Sequence, residues 1–194
     1  MSVQDHPRGE SAGYSLIGAA AAVLGLREPG IPENFLARLF GLALPKDLTR
    51  FGPEELATIA AQSWAVFAQR SPGALQLRLA PAASPRGVSV LDIVNDDMPF
   101  LLDSVLGELN ERGLKISLLA HPVFAVERDE AGRLIYFEGA RKDGGKQESF
   151  IHIHIEGLED AAQRADIICA LEDILAQVRI CVQDWEPMLA RARE

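Results

Sequence analysis

Val94-Asn95-Asp96-Asp97-Met98-Pro99-Phe100-Leu101-Leu102-Asp103-Ser104-Val105 joins two different periodicities within one short stretch. Upstream, Val88 to Val94 is a nearly unbroken apolar run of strand length. Downstream, Leu102, Val105, Leu106 and Leu109 recur at i, i+3, i+4 and i+7, the spacing of one helical face, over a helix expected from Pro99 to Arg112. The polar residues between them read as a strand-to-helix turn. Asn95, Asp96 or Asp97 is expected to cap the helix with a side-chain oxygen, with Pro99 in its first turn. Uncapped N–H groups of that turn would face an anionic ligand. Asn95, Asp96, Asp97 and Met98 are therefore the candidate effector-binding residues. Their carboxylates and amide suit the ammonium group of an amino acid, and the helix N–H groups suit its carboxylate. Capping alone accounts for the same residue types without a ligand. A metal at Asp96, Asp97 and Asp103 would need more oxygen ligands than the segment offers.

Outward from this turn, Leu75-Gln76-Leu77-Arg78-Leu79 alternates like a strand, and a Pro- and Ser-containing link spans Pro81 to Gly87. Gly113 closes the helix, and strands follow over Lys115 to Arg128, Arg133 to Gly139 and Glu148 to Glu156. A long helix begins at Glu159. Its apolar residues Ile167, Leu171, Ile174, Leu175, Val178 and Val182 keep helical spacing until Pro187, which should kink or end it near Trp185. Before the first strand, Gly13 to Gly25, Pro32 to Leu42 and Pro53 to Gln69 also carry helical spacing. In the last of these Leu56, Ile59, Ala60, Trp64 and Phe67 line one face. The pattern specifies an α+β fold. A disordered tail over 1–12 and a helical subdomain over 13–72 precede an α+β domain over 73–194, in which a mostly antiparallel, ferredoxin-like sheet carries helices on one face. Such a sheet needs a fourth strand, and none follows the long helix. Leu75 to Leu79, upstream in sequence, is the candidate for it in a permuted arrangement.

The chain has 194 residues, 48% hydrophobic and 24% charged, as expected of a soluble globular protein able to bury a substantial core. Its net charge of -9 repels phosphate backbones and anionic lipid, so neither nucleic acid nor membrane is an expected partner. Tyr14 to Leu26 is apolar but too short to span a bilayer, and no basic leader precedes it. A cytoplasmic location is expected. Cys169 and Cys181 lack paired metal or redox spacing and read as small core residues. No GxGxxG follows a strand, and Gly139, Gly144 and Gly145 fall in a charged, hairpin-like loop. No catalytic, cofactor-binding or metal-binding residue is therefore assigned.

His152-Ile153-His154 sits between Ile151 and Ile155, so on a strand the imidazoles share one face and the isoleucines form the helix-facing core on the other. His121 is the obvious third ligand were the pair to hold zinc. The default is an uncovered or subunit-facing sheet surface. Ser104 has no nucleophile context, and Trp64 and Trp185 read as packing anchors.

Several of these motifs occur together in one order. Phe51-Gly52-Pro53-Glu54-Glu55-Leu56 through Trp64, Leu77-Arg78-Leu79, the Val94–Val105 run, His121-Pro122-Val123 and Glu148-Ser149-Phe150-Ile151-His152-Ile153 resemble the N-terminal, ACT-like region of the large bacterial NAD-specific glutamate dehydrogenases, from about Phe35 to about Trp185. His154 departs from that pattern, which is more often acidic there. The resemblance implies a parent enzyme that oxidatively deaminates glutamate to 2-oxoglutarate with NAD, its dehydrogenase domain lying far downstream. It implies no NAD site in these residues. What it implies here is a regulatory or assembly region of a homo-oligomer that binds a small amino-acid-like effector; the alternative is a purely structural oligomerisation module.

Overall fold

The computed structural model of the chain describes residues 6–81, 87–139 and 146–192. Four helices come first: α1 (His6–Arg27), α2 (Asn34–Phe40), α3 (Pro45–Leu48) and α4 (Pro53–Ala68). Helix α1 starts earlier than Gly13, and the part of the expected tail at 1–5 lies outside the described residues, as do 82–86 of the expected link and 140–145 of the glycine-containing loop. Strands β1 (Gln76–Ala80) and β2 (Val88–Asp96) lead to α5 (Leu101–Glu111). Then come β3 (Lys115–Ala120), β4 (Val123–Arg128), β5 (Leu134–Gly139), β6 (Gln147–Glu156) and α6 (Ala161–Ala192). Pro187 lacks the N–H that an interior helical residue donates, yet it does not end α6 near Trp185.

The strands form one antiparallel sheet ordered β1-β2-β6-β4-β5, with β3 also on β6. Strand β1 runs beside β2 from Gln76 opposite Val94 to Ala80 opposite Val90, so the upstream segment supplies the fourth strand of the ferredoxin-like order. The single strand expected over Lys115 to Arg128 is split at His121-Pro122, because Pro122 has no N–H to give a ladder. Both halves still pair with β6: β3 reaches Ala120 opposite His152, and β4 starts at Val123 opposite Ser149.

Two cores lie on the two faces of this sheet. On one, Ile151, Ile153 and Ile155 pack with Leu91, Ile93, Leu101, Val105 and Leu109, and with Ile167, Leu171 and Leu175 of α6. This confirms the isoleucine face, while Leu101 joins Val105 and Leu109 as the deepest residues of α5, and Leu102 and Leu106 are only partly buried. Helix α5 ends in a left-handed Gly113 at φ +67°: Leu114 N–H donates to Leu109 O at 3.0 Å and Gly113 N–H to Asn110 O at 2.9 Å, which satisfies two carbonyls of its last turn.

On the other face α1–α4 cover the sheet, with Phe35, Phe40, Leu56, Ala60 and Phe67 packing against Val94, Leu118, Phe124 and Phe150. Phe35, Trp64, Phe67, Phe124, Phe137 and Phe150 form one cluster of ring contacts there. The surface expected to be open or subunit-facing around His152 and His154 is thus sealed by the N-terminal helices. Each buried phenylalanine is worth about 1.5–3 kcal/mol, which is why this layer stays shut. Cys169 and Cys181, expected in the core, are instead exposed free thiols on the outer side of α6. Among the described residues no helix is long and apolar enough to cross a membrane.

Candidate functional site

Strand β2 runs two residues beyond Val94, so Asn95 and Asp96 pair with Ser149 and Glu148 of β6, and Asp97 N–H donates to Gln147 O at 3.0 Å. The ladder therefore claims the polar residues before the helix can. None of them caps α5; Phe100 occupies the N-cap position in the left-handed region at φ +70°, with no side-chain cap, and the helix starts at Leu101 rather than Pro99. The capping expectation fails for that reason.

What the polar residues do instead is tie distant elements together. Asn95 is buried, and its side-chain oxygen accepts from Arg179 Nη2 of α6 at 2.5 Å and from Asp96 N–H at 3.0 Å. Asp96 accepts from Arg70 Nη1 at 2.9 Å and Arg179 Nη1 at 3.3 Å, with Lys146 Nζ at 3.8 Å. Partial burial pushes the Asp96 carboxyl up, but hydrogen bonding and charge from Arg70, with help from Lys146 and Arg179, outweigh it and hold the group below its ordinary range. Asp97 stays exposed, and Met98 packs half-buried against the core of α5 and α6.

Arg70, two residues beyond the end of α4, is the hub. Its side chain is fully buried, its Nε donates to Ala74 O at 2.6 Å, and its Nη1 also meets Glu148 Oε1 at 2.7 Å. Arg128 grips the same carboxylate at 2.7 and 3.0 Å and reaches Phe67 O at 2.8 Å and Gly132 O at 3.1 Å. Gly132, at φ +81°, brings its backbone so close that a Cβ there would stand 2.3 Å from Arg70 O. In this cluster the cations Arg70, Arg128, Lys146 and Arg179 outnumber the acids Asp96 and Glu148, inside a chain of net charge -9.

A second polar chain lies under α1–α4. Asp92, His152, His154 and Ser63 are each 0% exposed. Asp92 Oδ1 stands 2.6 Å from His152 Nδ1, and His152 Nε2 stands 2.8 Å from His154 Nε2. Ser63 donates to Asp92 at 3.0 Å, and Arg78 reaches Asp92 Oδ2 at 2.5 Å. Burial of Asp92 would raise its pKa, yet His152 and Arg78 hold it below the ordinary carboxylate value. Burial, then the neighbouring His152, pushes His154 well below an ordinary histidine, with Asp92 opposing. Ser63 and Asp92 both meet His152 at Nδ1, whereas a hydrolytic relay needs them on opposite ring nitrogens.

His121 does not join the pair. Its Nε2 bonds Ser149 Oγ at 2.5 Å, and Ser149 lies on the opposite face of β6 from His152 and His154. No group of three His, Cys, Asp or Glu among the described residues could hold a metal ion. Sequence reasoning brought out Asn95 to Met98 but missed Arg70, Arg179, Glu148 and Asp92. Asp92 did leave a signal, since a lone charge inside an apolar strand run has to be paired.

Residues 35–171 match the family model described as glutamate dehydrogenase, ACT1 domain. The chain is 32% identical over 165 residues to an NAD-specific glutamate dehydrogenase of Halomonas elongata, covering 81% of this chain and 10% of that protein. It is 36% identical over 108 residues to an NAD-specific glutamate dehydrogenase of Pseudomonas aeruginosa, covering 55% of this chain and 7% of that protein. The chain thus spans about a tenth or less of the length of these relatives. No solved structure matches.

Proposed function

Since the chain belongs to the glutamate dehydrogenase ACT1-domain family, we propose that it is the N-terminal regulatory and assembly region of an NAD-dependent enzyme deaminating L-glutamate to 2-oxoglutarate and ammonia. Catalysis and NAD binding are assigned to the parent outside this region, which supplies regulation and contacts within a cytoplasmic homo-oligomer. The free thiols Cys169 and Cys181 suit a reducing compartment.

The regulatory reading extends to a small amino-acid effector at Asn95, Asp96, Asp97 and Met98. One observation carries it: Arg179 of α6, only partly buried, is held by Asn95 and Asp96, and the residue that follows them, Asp97, is exposed. A ligand carboxylate competes there for Arg179 and Lys146, its ammonium meets Asp97, and its side chain lies toward Met98. Binding would then loosen α6 from β2, giving two states with different ligand affinity, as allosteric control requires. The second reading, a purely structural oligomerisation module, is favoured by Asn95 and Asp96 already being satisfied within the chain. On that reading the assembly surface falls on exposed apolar residues such as Leu42, Leu44 and Ile135, because the His152 and His154 face is covered.

Calorimetry with the common amino acids distinguishes the two. Saturable heat that Arg179→Gln abolishes supports the effector reading. No heat at millimolar ligand removes it and leaves the structural module.

A further inference from the structure

We propose that the buried Asp92–His152–His154 chain is a proton-sensitive latch that keeps the N-terminal helices seated on the sheet while His154 is neutral and loosens them when His154 takes a proton. The site sits at the seam between two layers. Asp92 and both histidines project from the sheet, while Phe40 of α2 stands edge-on to His152 with centroids 5.3 Å apart, and Phe51 stands edge-on to His154 at 5.1 Å. Ser63 closes the seam from α4 by its bond to Asp92.

Hydrogen bonding dictates where the protons are. When His152 is the neutral imidazole that gives its Nδ1 proton to Asp92, its Nε2 is an acceptor and His154 donates from its own Nε2. That leaves His154 Nδ1 buried and, among the described residues, without a hydrogen-bond partner. As a bare lone pair it is tolerated at modest cost; once protonated it becomes a buried, unsatisfied donor on a cation. The Nε2–Nε2 bond also fails if both rings become imidazolium, since neither nitrogen then accepts.

The charges around His154 leave no relief for a second proton. From β2 only Asp92 faces the chain, and it already answers Arg78 of β1, Ser63 of α4 and His152. Opposite the histidines, β3 brings Leu118 and Ala120. On β6 the next residue of the same face is Glu156, which pairs with Lys115 of β3 and Arg50 after α3. Glu148, further along β6, is held by Arg70 and Arg128. Helix α2 presents Phe40, and α4 keeps Glu54 and Glu55 on its first turn, two turns from Ser63. In α1 the described residues from Gly13 carry no charge before Arg27.

The sign follows from linkage. A histidine that resists protonation when folded leaves stability unchanged well above its ordinary value of about 6.5 and lets it fall as pH drops through that value, because the unfolded chain binds the proton more readily. His121, also lowered by burial with Asp97 opposing, adds a slope in the same window, so it needs its own control.

Imidazole nitrogen NMR on the 194-residue chain tests the latch directly. The expected result is a neutral His154 with its proton on Nε2 at pH 7, titrating well below 6.5, with signals of Phe40, Phe51 and Trp64 shifting in step with it. The thermal midpoint should fall by several degrees between pH 7.5 and 5.5 in the wild type and in His121→Gln, and by clearly less in His154→Gln. A His154 that titrates as an ordinary histidine, or whose protonation leaves the helix resonances in place, overturns the proposal. The wild-type titration decides the matter even if a variant fails to fold.

Discussion

Glu148 shows how much a single side chain holds in this fold. Its carboxylate is fully buried and shared by Arg70 and Arg128, whose side chains are 0% and 4% exposed. Replacing it with glutamine removes the charge that the two guanidinium groups share away from water. Breaking a buried pair from one side typically costs about 3–5 kcal/mol, so Glu148→Gln should lower the unfolding free energy by that order in denaturant titrations. Cys169→Ser on the exposed side of α6 should stay within about 0.5 kcal/mol of wild type in the same measurement. Asp92 and Asp96 add an acid limb. Both carboxyls are held below 3.8 in the folded chain, so their stabilisation is complete above that pH and is lost as pH falls through the lowered folded values. Unfolding followed from pH 5 downward should steepen below about pH 4, and Asp96→Asn should flatten that limb.

At the scale of the element, the junction between β2 and α5 is where local reasoning and the fold part company. The residues Asn95 to Asp97 have the chemistry of a helix cap, yet β6 offers them a strand partner, and a ladder bond on each side outweighs a cap worth about 1 kcal/mol. No local pattern reveals that competition, because Ser149 and Glu148 lie more than fifty residues downstream. The helix is left to start from Phe100, a non-glycine residue at φ +70° that is 65% exposed. That conformation is strained for an L-residue by roughly 1 kcal/mol. Phe100→Gly should therefore raise the thermal midpoint by a few degrees rather than lower it, unless the ring packs against a partner chain in the parent protein. By contrast, the end of α5 was legible: Gly113 is left-handed, as a glycine after the last helical turn should be.

Across the whole molecule, what could be read and what could not divides by range. Strand alternation, the isoleucine face of β6 and the permuted role of the Leu75 to Leu79 segment follow from periodicity and strand count, and each is present. The cover over the opposite face does not follow, because His152 and His154 look like a wet surface until Phe40 and Phe51 are brought over them. One aromatic cluster then runs from Phe35 and Phe67 of the helices into Phe124 and Phe150 of the sheet. Its consequence is physical: cut at residue 73, the sheet part would expose that apolar layer and a buried Asp–His pair to water. A chain of residues 73–194 alone should consequently bind hydrophobic dyes and show poorly dispersed amide resonances, and adding residues 13–72 in trans should restore dispersion if the helices are all that is missing. A sharp spectrum with cooperative unfolding from 73–194 by itself would mean that the helices are a separable cap, and regulation through the Asn95 turn would then have to act without them.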